Sequence, residues 1–145
     1  MALIRDLADY EKLAHEVVGD EGMLAAHLFG DRPAAHVLIG VVDGEVAGFA
    51  LYFTSYSTFL TRPGIYLEDL FVRPDRRGSG LGKALLAKLA AICVERGYGR
   101  LEWSVLDWNE PAIKFYEAMG ARPMDGWTVN RVTGEALVAL AAREN

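Results

Sequence analysis

Val72-Arg73-Pro74-Asp75-Arg76-Arg77-Gly78-Ser79-Gly80-Leu81-Gly82-Lys83 joins an apolar run, Ile65 to Val72, to a long helical pattern, Leu81 to Arg96. Three alternating glycines leave no Cβ to hold a ligand away from the backbone. The amides of such a turn, opening onto a helix N-terminus, carry partial positive charge outward and form an anion cradle, usually for phosphate. Arg76, Arg77 and Lys83 add full positive charge there. Spacing excludes two common ligands. A dinucleotide fingerprint, G-x-G-x-x-G, needs glycine where Lys83 stands; a P-loop needs glycine at Arg77 and a hydroxyl at Ala84. What remains is Arg77-x-x-Gly80-x-Gly82, for which the plain alternative is an ordinary tight strand-to-helix connection.

Outward from that turn, the chain has 145 residues, enough for one domain over 1–145 and one core. Hydrophobic residues make up 52%, which argues against disorder. Lys88 interrupts the most apolar helix and Arg5 and Asp6 stand near the start, so neither a membrane span nor a secretory signal is expected. Cys93, the single cysteine, lies on an apolar helical face beside Leu89 and Ile92 and reads as a small buried hydrophobe in a reducing, cytoplasmic setting. His15, His27 and His36 lack partners at metal-ligand spacing, so no metal is expected. With 15 Lys plus Arg against 20 Asp plus Glu, the net charge of −5 disfavours nucleic acid as a partner and favours a cationic substrate.

Apolar spacing predicts a helix over Leu3–Val18 and a second over Glu21–Phe29, stopped by Gly30. His36–Val42 and Glu45–Thr54 read as a hairpin around Asp43-Gly44, followed by a polar loop over Ser55–Gly64 and a strand over Ile65–Val72. The helix from Leu81 stops at Gly97 or Gly99. Then come a strand over Arg100–Leu106, a helix from Glu110 to Met119 with Asn109 as its cap, a strand within Ala121–Val132, and a final helix from Thr133-Gly134 to about Arg143. This order indicates an α/β fold with a mixed, mostly antiparallel sheet and helices on both faces, the glycine turn lying at the C-terminal end of a strand.

Arg77-x-x-Gly80-x-Gly82 resembles the acyl-CoA pyrophosphate loop of the GNAT N-acetyltransferases. Asn109-x-x-Ala112-x-x-x-Tyr116, followed by Gly120-Ala121, resembles the segment that lies beside the thioester in that superfamily. The bland readings are a helix cap for Asn109 and a core aromatic for Tyr116. Tyr66-Leu67-Glu68-Asp69-Leu70-Phe71-Val72, Trp108-Asn109-Glu110-Pro111 and Gly126-Trp127 extend the likeness to the diamine (spermidine/spermine) acetyltransferase group, which includes relatives acting on thialysine. Two departures stand out. The group begins with a strand before its first helix, so a first edge strand is expected to be missing here, through a truncated start or a partner covering the edge. Polyamine-acetylating members carry an acidic residue where Ser57 aligns, which puts spermidine specificity in doubt; Phe59 keeps an aromatic nearby.

The resemblance implies acetyl-CoA as cosubstrate, held by the backbone of Leu70, Phe71 and Val72 and by Arg77, Gly78, Ser79, Gly80, Leu81, Gly82, Lys83, Asn109 and Ala112. It implies Tyr116 as proton donor to the departing thiolate and Glu68 as base, directly or through water. A primary amine with pKa near ~10 must lose a proton before it attacks. Backbone N–H groups of Leu70–Val72 would polarise the carbonyl. Tyr10 and Glu11 match a pair that lines the amine pocket, or form an exposed turn of the first helix; Phe59 would pack against an aliphatic acceptor. Alternation along a strand places Glu68 and Asp69 on opposite faces. The resemblance also implies a homodimer joined through the C-terminal strand and helix. The acceptor implied is a small polyamine-like or thialysine-like amine attacked in a ternary complex. A peptide acceptor and a CoA-binding module without turnover stand as the other readings.

Overall fold

The computed structural model describes residues 1–144. Four strands form one sheet in the order β1-β2-β3-β4: β1 (His36–Val42), β2 (Glu45–Ser57), β3 (Arg62–Val72) and β4 (Leu101–Trp103). β1–β2 and β2–β3 pair antiparallel and β3–β4 parallel, the mixed sheet expected. The helices are α1 (Ala2–Tyr10), α2 (Glu21–Phe29), α3 (Leu81–Arg96), α4 (Glu110–Ala118) and α5 (Gly134–Ala141). None is long and apolar enough to cross a membrane.

Both faces of the sheet are covered. Against one face, α3 packs Leu85, Leu86, Leu89, Ile92 and Cys93 onto Ala50, Tyr52, Ile65 and Leu67. On the other, Leu7 of α1 packs against Phe49 and Phe71. The start of α3 is held tightly against the sheet, because Leu81 lies over the glycines of β1 and β2. A Cβ on Gly40 would stand 2.6 Å from Leu81 Cδ1, and one on Gly48 would stand 2.5 Å from the Phe71 carbonyl oxygen. These glycines keep the glycine turn close to the end of β3.

Several element boundaries differ from the sequence expectation. Instead of running to Val18, α1 stops after Tyr10. Lys12 turns left-handed at φ 62°, its N–H bonds Asp9 O at 3.1 Å, and Leu13 N–H bonds Ala8 O at 2.8 Å. That is a Schellman stop made without glycine, and the apolar spacing of Leu13 and Val17 concealed it. The expected loop over Ser55–Gly64 is mostly strand, since β2 continues to Ser57 and β3 begins at Arg62. These strand ends carry polar residues, so their two-residue period is faint in sequence. β4 is three residues long rather than seven, and no strand occurs among the described residues of 121–132, where only Ala121 is partly covered. α3 ends at Gly97, left-handed at φ 70°, with Tyr98 N–H returning to Cys93 O at 2.8 Å. The Asp43-Gly44 hairpin forms as expected, both residues having positive φ.

Candidate active site

β4 accompanies β3 only from Ile65 to Leu67, whereas β2 accompanies it to Val72. From Glu68 onward the far edge of β3 therefore has no strand beside it among the described residues. A cavity of about 550 Å³ opens there, between α1, the glycine turn and α4. It gathers Tyr10, Glu11, Glu68, Leu70, Phe71, Val72, Arg77, Gly78, Gly80, Leu81, Gly82, Lys83, Asn109, Ala112 and Tyr116, which is most of the set singled out from sequence. Ser79 and Phe59 are not among its walls. Phe59 is 97% exposed in the turn between β2 and β3, at the opposite end of β3 from Val72, so within one chain it does not reach the cavity.

At the cavity mouth, Gly78 and Gly80 both have φ 84°, a conformation that side chains resist. Within α3 the Ala84 N–H bonds Gly80 O at 3.0 Å, so the amides of Leu81, Gly82 and Lys83 occupy the first turn, where helical N–H groups have no intrahelical acceptor. The two arginines of the turn do different work. Arg76 is drawn to the β1–β2 hairpin, 3.3 Å from Asp43 and 3.3 Å from Glu45, so much of its charge is already matched. Arg77 folds back over the rings of Tyr10 (4.7 Å) and Phe71 (5.7 Å) and donates from Nε to Val72 O at 3.1 Å.

Inside, a bulge rearranges the carboxylates. Leu51 pairs with Asp69 and the next residue, Tyr52, pairs with Leu67, so Glu68 is an extra residue without a partner. Alternation is suspended there, and Glu68 and Asp69 both line the cavity rather than facing opposite ways. Asp69 is the residue that sequence reasoning missed; it is pushed up from 3.8 to about 6, first by burial and then by the charges of Glu68 and Glu11. Burial also raises Glu11. The early end of α1 leaves Tyr10 and Glu11 at the cavity wall instead of continuing the helix outward.

Tyr116 lines the same cavity, its ring tilted against those of Trp103 (4.9 Å) and Phe115 (5.4 Å). Burial, then Glu11 and Tyr10, push its hydroxyl up to about 12, so it keeps its proton at neutral pH. Asn109 is buried and its Oδ1 accepts from Ala112 N–H at 3.4 Å as the cap of α4, and also from Tyr10 Oη at 3.0 Å. The cap is therefore also the tie between α1 and α4. An anion cradle, an open strand edge, three carboxylates and a protonated phenol thus share one chamber.

A model of the acetyltransferase (GNAT) family matches residues 4–121. The thialysine N-epsilon-acetyltransferase of Bos taurus is 40% identical over 99% of this chain and 90% of its own length. The L-ornithine N5-acetyltransferase of Arabidopsis thaliana is 34% identical over 95% and 80%. Among solved structures, an integron cassette protein from the mobile metagenome of V. cholerae superposes with a TM-score of 0.77 at 30% identity, covering 94% of this chain and 85% of that one. A soil-metagenome aminoglycoside acetyltransferase superposes at 0.75 with 16% identity over 92% and 86%, a likeness of fold.

Proposed function

This chain belongs to the acetyltransferase (GNAT) family, and from that premise we propose that it moves the acetyl group of acetyl-CoA to a primary amine of a small molecule, by direct attack in a ternary complex. The observation that carries this reading is the unaccompanied edge of β3 from Glu68 to Val72, running from the carboxylates to the glycine turn. The turn's amides and Lys83 bind the pyrophosphate, and the backbone of Leu70 to Val72 holds the pantetheine arm as an added strand. A backbone N–H of that edge donates to the thioester oxygen, where negative charge builds as the amine attacks.

Asp69, Glu68 and Glu11 draw in the ammonium form of the acceptor. Asp69, at about 6, is mostly ionised at neutral pH, and it or the neighbouring Glu68 takes the proton that the amine must shed, directly or through water. The amine lone pair forms the new C–N bond, the C–S bond breaks, and its electron pair leaves on sulfur. Tyr116 donates to that sulfur. With its pKa at about 12 against roughly 8.5 for a free thiol, full transfer is uphill, so the hydroxyl stabilises the thiolate by hydrogen bonding until a second proton, lost by nitrogen once the C–N bond has formed, neutralises the sulfur. Acceptors named for the relatives, thialysine and L-ornithine, have the required primary amine.

Homodimerisation is part of the proposal. Trp127, Val129 and Val138 are 82%, 81% and 71% exposed, more apolar surface than an isolated C-terminal segment carries without a cover. The test of the activity is a panel of amines incubated with acetyl-CoA, following free thiol and the mass of the acetylated product. Acetyl-CoA binding with no thiol released by any amine would overturn it.

A further inference from the structure

Three hydroxyls stand in the cavity wall, on Tyr10, Ser104 and Tyr116. Tyr10 donates to Asn109, and Tyr116 serves the sulfur in the reaction proposed above. Ser104 is left, and neither the glycine turn nor the α4 motif points to it. It is the first residue beyond β4, one step past Leu67 with Trp103, the last pair of the β3–β4 ladder. Glu68 is the matching step on β3, so Ser104 and Glu68 flank the point where two strands about 5 Å apart begin to part. Alternation decides which side of the sheet the hydroxyl takes. Leu101 and Trp103 pack toward α3, as do Phe115 and Tyr116. Ser104 follows Trp103, so its side chain stands on the side of α1, where Tyr10 packs with Leu7. The contact with Tyr66 agrees. Ile65 and Leu67 are buried under α3, which turns Tyr66 the other way, and its Oη lies 2.7 Å from Ser104 Oγ. The Tyr66 ring leans on that of Phe53, 5.2 Å between centroids, and so reaches Ser104 from a fixed place.

We propose that Ser104 binds the attacking nitrogen by accepting one of its N–H hydrogens, with Tyr66 as the positioning residue behind it. This inference rests on the acetyl transfer proposed above. A primary amine that has lost its extra proton attacks with its lone pair and has two N–H groups left to satisfy. A carboxylate of the bulge takes one, and Ser104 Oγ takes the other. A hydroxyl has two lone pairs, so Ser104 keeps one for the amine whichever partner donates in its bond with Tyr66. With both N–H groups held, the nitrogen lone pair has one direction, toward the thioester carbon at the end of the arm. Ser104 thereby also determines specificity. A secondary amine has a single N–H, which the carboxylate takes, and its extra substituent falls where Ser104 would accept.

The test pairs each primary amine of the activity panel with its N-methyl derivative, putrescine with N,N′-dimethylputrescine and L-lysine with Nε-methyl-L-lysine among them. Mass spectrometry identifies the acetylated nitrogen, in the wild type, Ser104→Ala, Tyr66→Phe and the double variant. The wild type should favour the unmethylated amine about tenfold or more in kcat/KM. Ser104→Ala should lower kcat/KM about fivefold for the unmethylated amines, leave the methylated ones within about twofold, and leave the acetyl-CoA Kd unchanged. Tyr66→Phe should cost about twofold to threefold, and that loss should vanish once alanine stands at 104, which a merely structural role for Tyr66 does not produce. A wild type that does not distinguish the members of a pair, or a Ser104→Ala variant that lowers both equally, would overturn the inference and leave acetyl transfer standing. Acetyl-CoA bound with no amine of the panel acetylated would remove the transfer and the inference together.

Discussion

Tyr116 and Asp69 owe their properties to one cause, removal from water, acting on two groups that become anionic when they ionise. For Tyr116 the effect is to secure a donor, so Tyr116→Phe should lower kcat by about 100-fold or more while the acetyl-CoA Kd moves little. Unchanged turnover with correct folding would exclude Tyr116 from the chemistry. For Asp69 the effect has a cost in stability. Its folded value of about 6 exceeds the ordinary 3.8, so the folded chain holds that proton more tightly than the unfolded one. The resulting contribution is complete below about pH 3.8 and is lost as pH rises through about 6. Above that range an ionised Asp69 costs on the order of 1–3 kcal/mol. Asp69→Asn should therefore melt higher than the wild type at pH 8, melt alike below pH 4, and acetylate amines poorly. A melting difference independent of pH would show that the carboxylate is not the cause. Activity of the wild type should fall as the medium is acidified through about 6. In sequence Asp69 is one acid beside another; nothing local says that a bulge turns both inward.

At the level of elements, the site depends on how closely α3 and the sheet approach. Gly48 marks that approach, since a methyl there would meet the Phe71 carbonyl at 2.5 Å and Leu81 Cδ2 at 3.3 Å. A backbone oxygen held in a ladder cannot step aside, so Gly48→Ala should destabilise the fold by about 1–3 kcal/mol and weaken acetyl-CoA binding with it. Calorimetry and a melt would check this; an intact affinity in a destabilised chain would detach the β2–β3 pairing from the cradle. Elements with local stop signals were legible: α3 from its flanking glycines, the first hairpin from Asp43-Gly44, and α4 from Asn109 and Pro111. Those without were not. Lys12 ends α1 in a conformation that its residue type does not announce, and the polar ends of β2 and β3 are strand because they pair with each other.

At the scale of the whole molecule, packing within one chain leaves the C-terminal segment uncovered. From Arg122 to Glu144 every residue is exposed, yet Trp127, Val129, Val132 and Val138 are apolar. Strand-like residues without a strand partner in their own chain are suited to a partner in another. We expect the protein to sediment as a dimer, and Val129→Asp to shift it to monomer with the α3 core still folded. A wild type that is monomeric at all accessible concentrations would end that expectation.

The chemistry-bearing positions of the glycine turn and of the segment Asn109–Tyr116 follow from local sequence, because a left-handed turn, a helix cap and a helical face each need particular residues at fixed spacing. What brings them together does not. The parting of β4 from β3 after Leu67, the bulge at Glu68 and the meeting of Tyr10 with Asn109 are products of strand pairing and packing between segments remote in the chain. Burial, and with it the altered protonation of Asp69 and Tyr116, exists only once those segments exclude water from a common chamber.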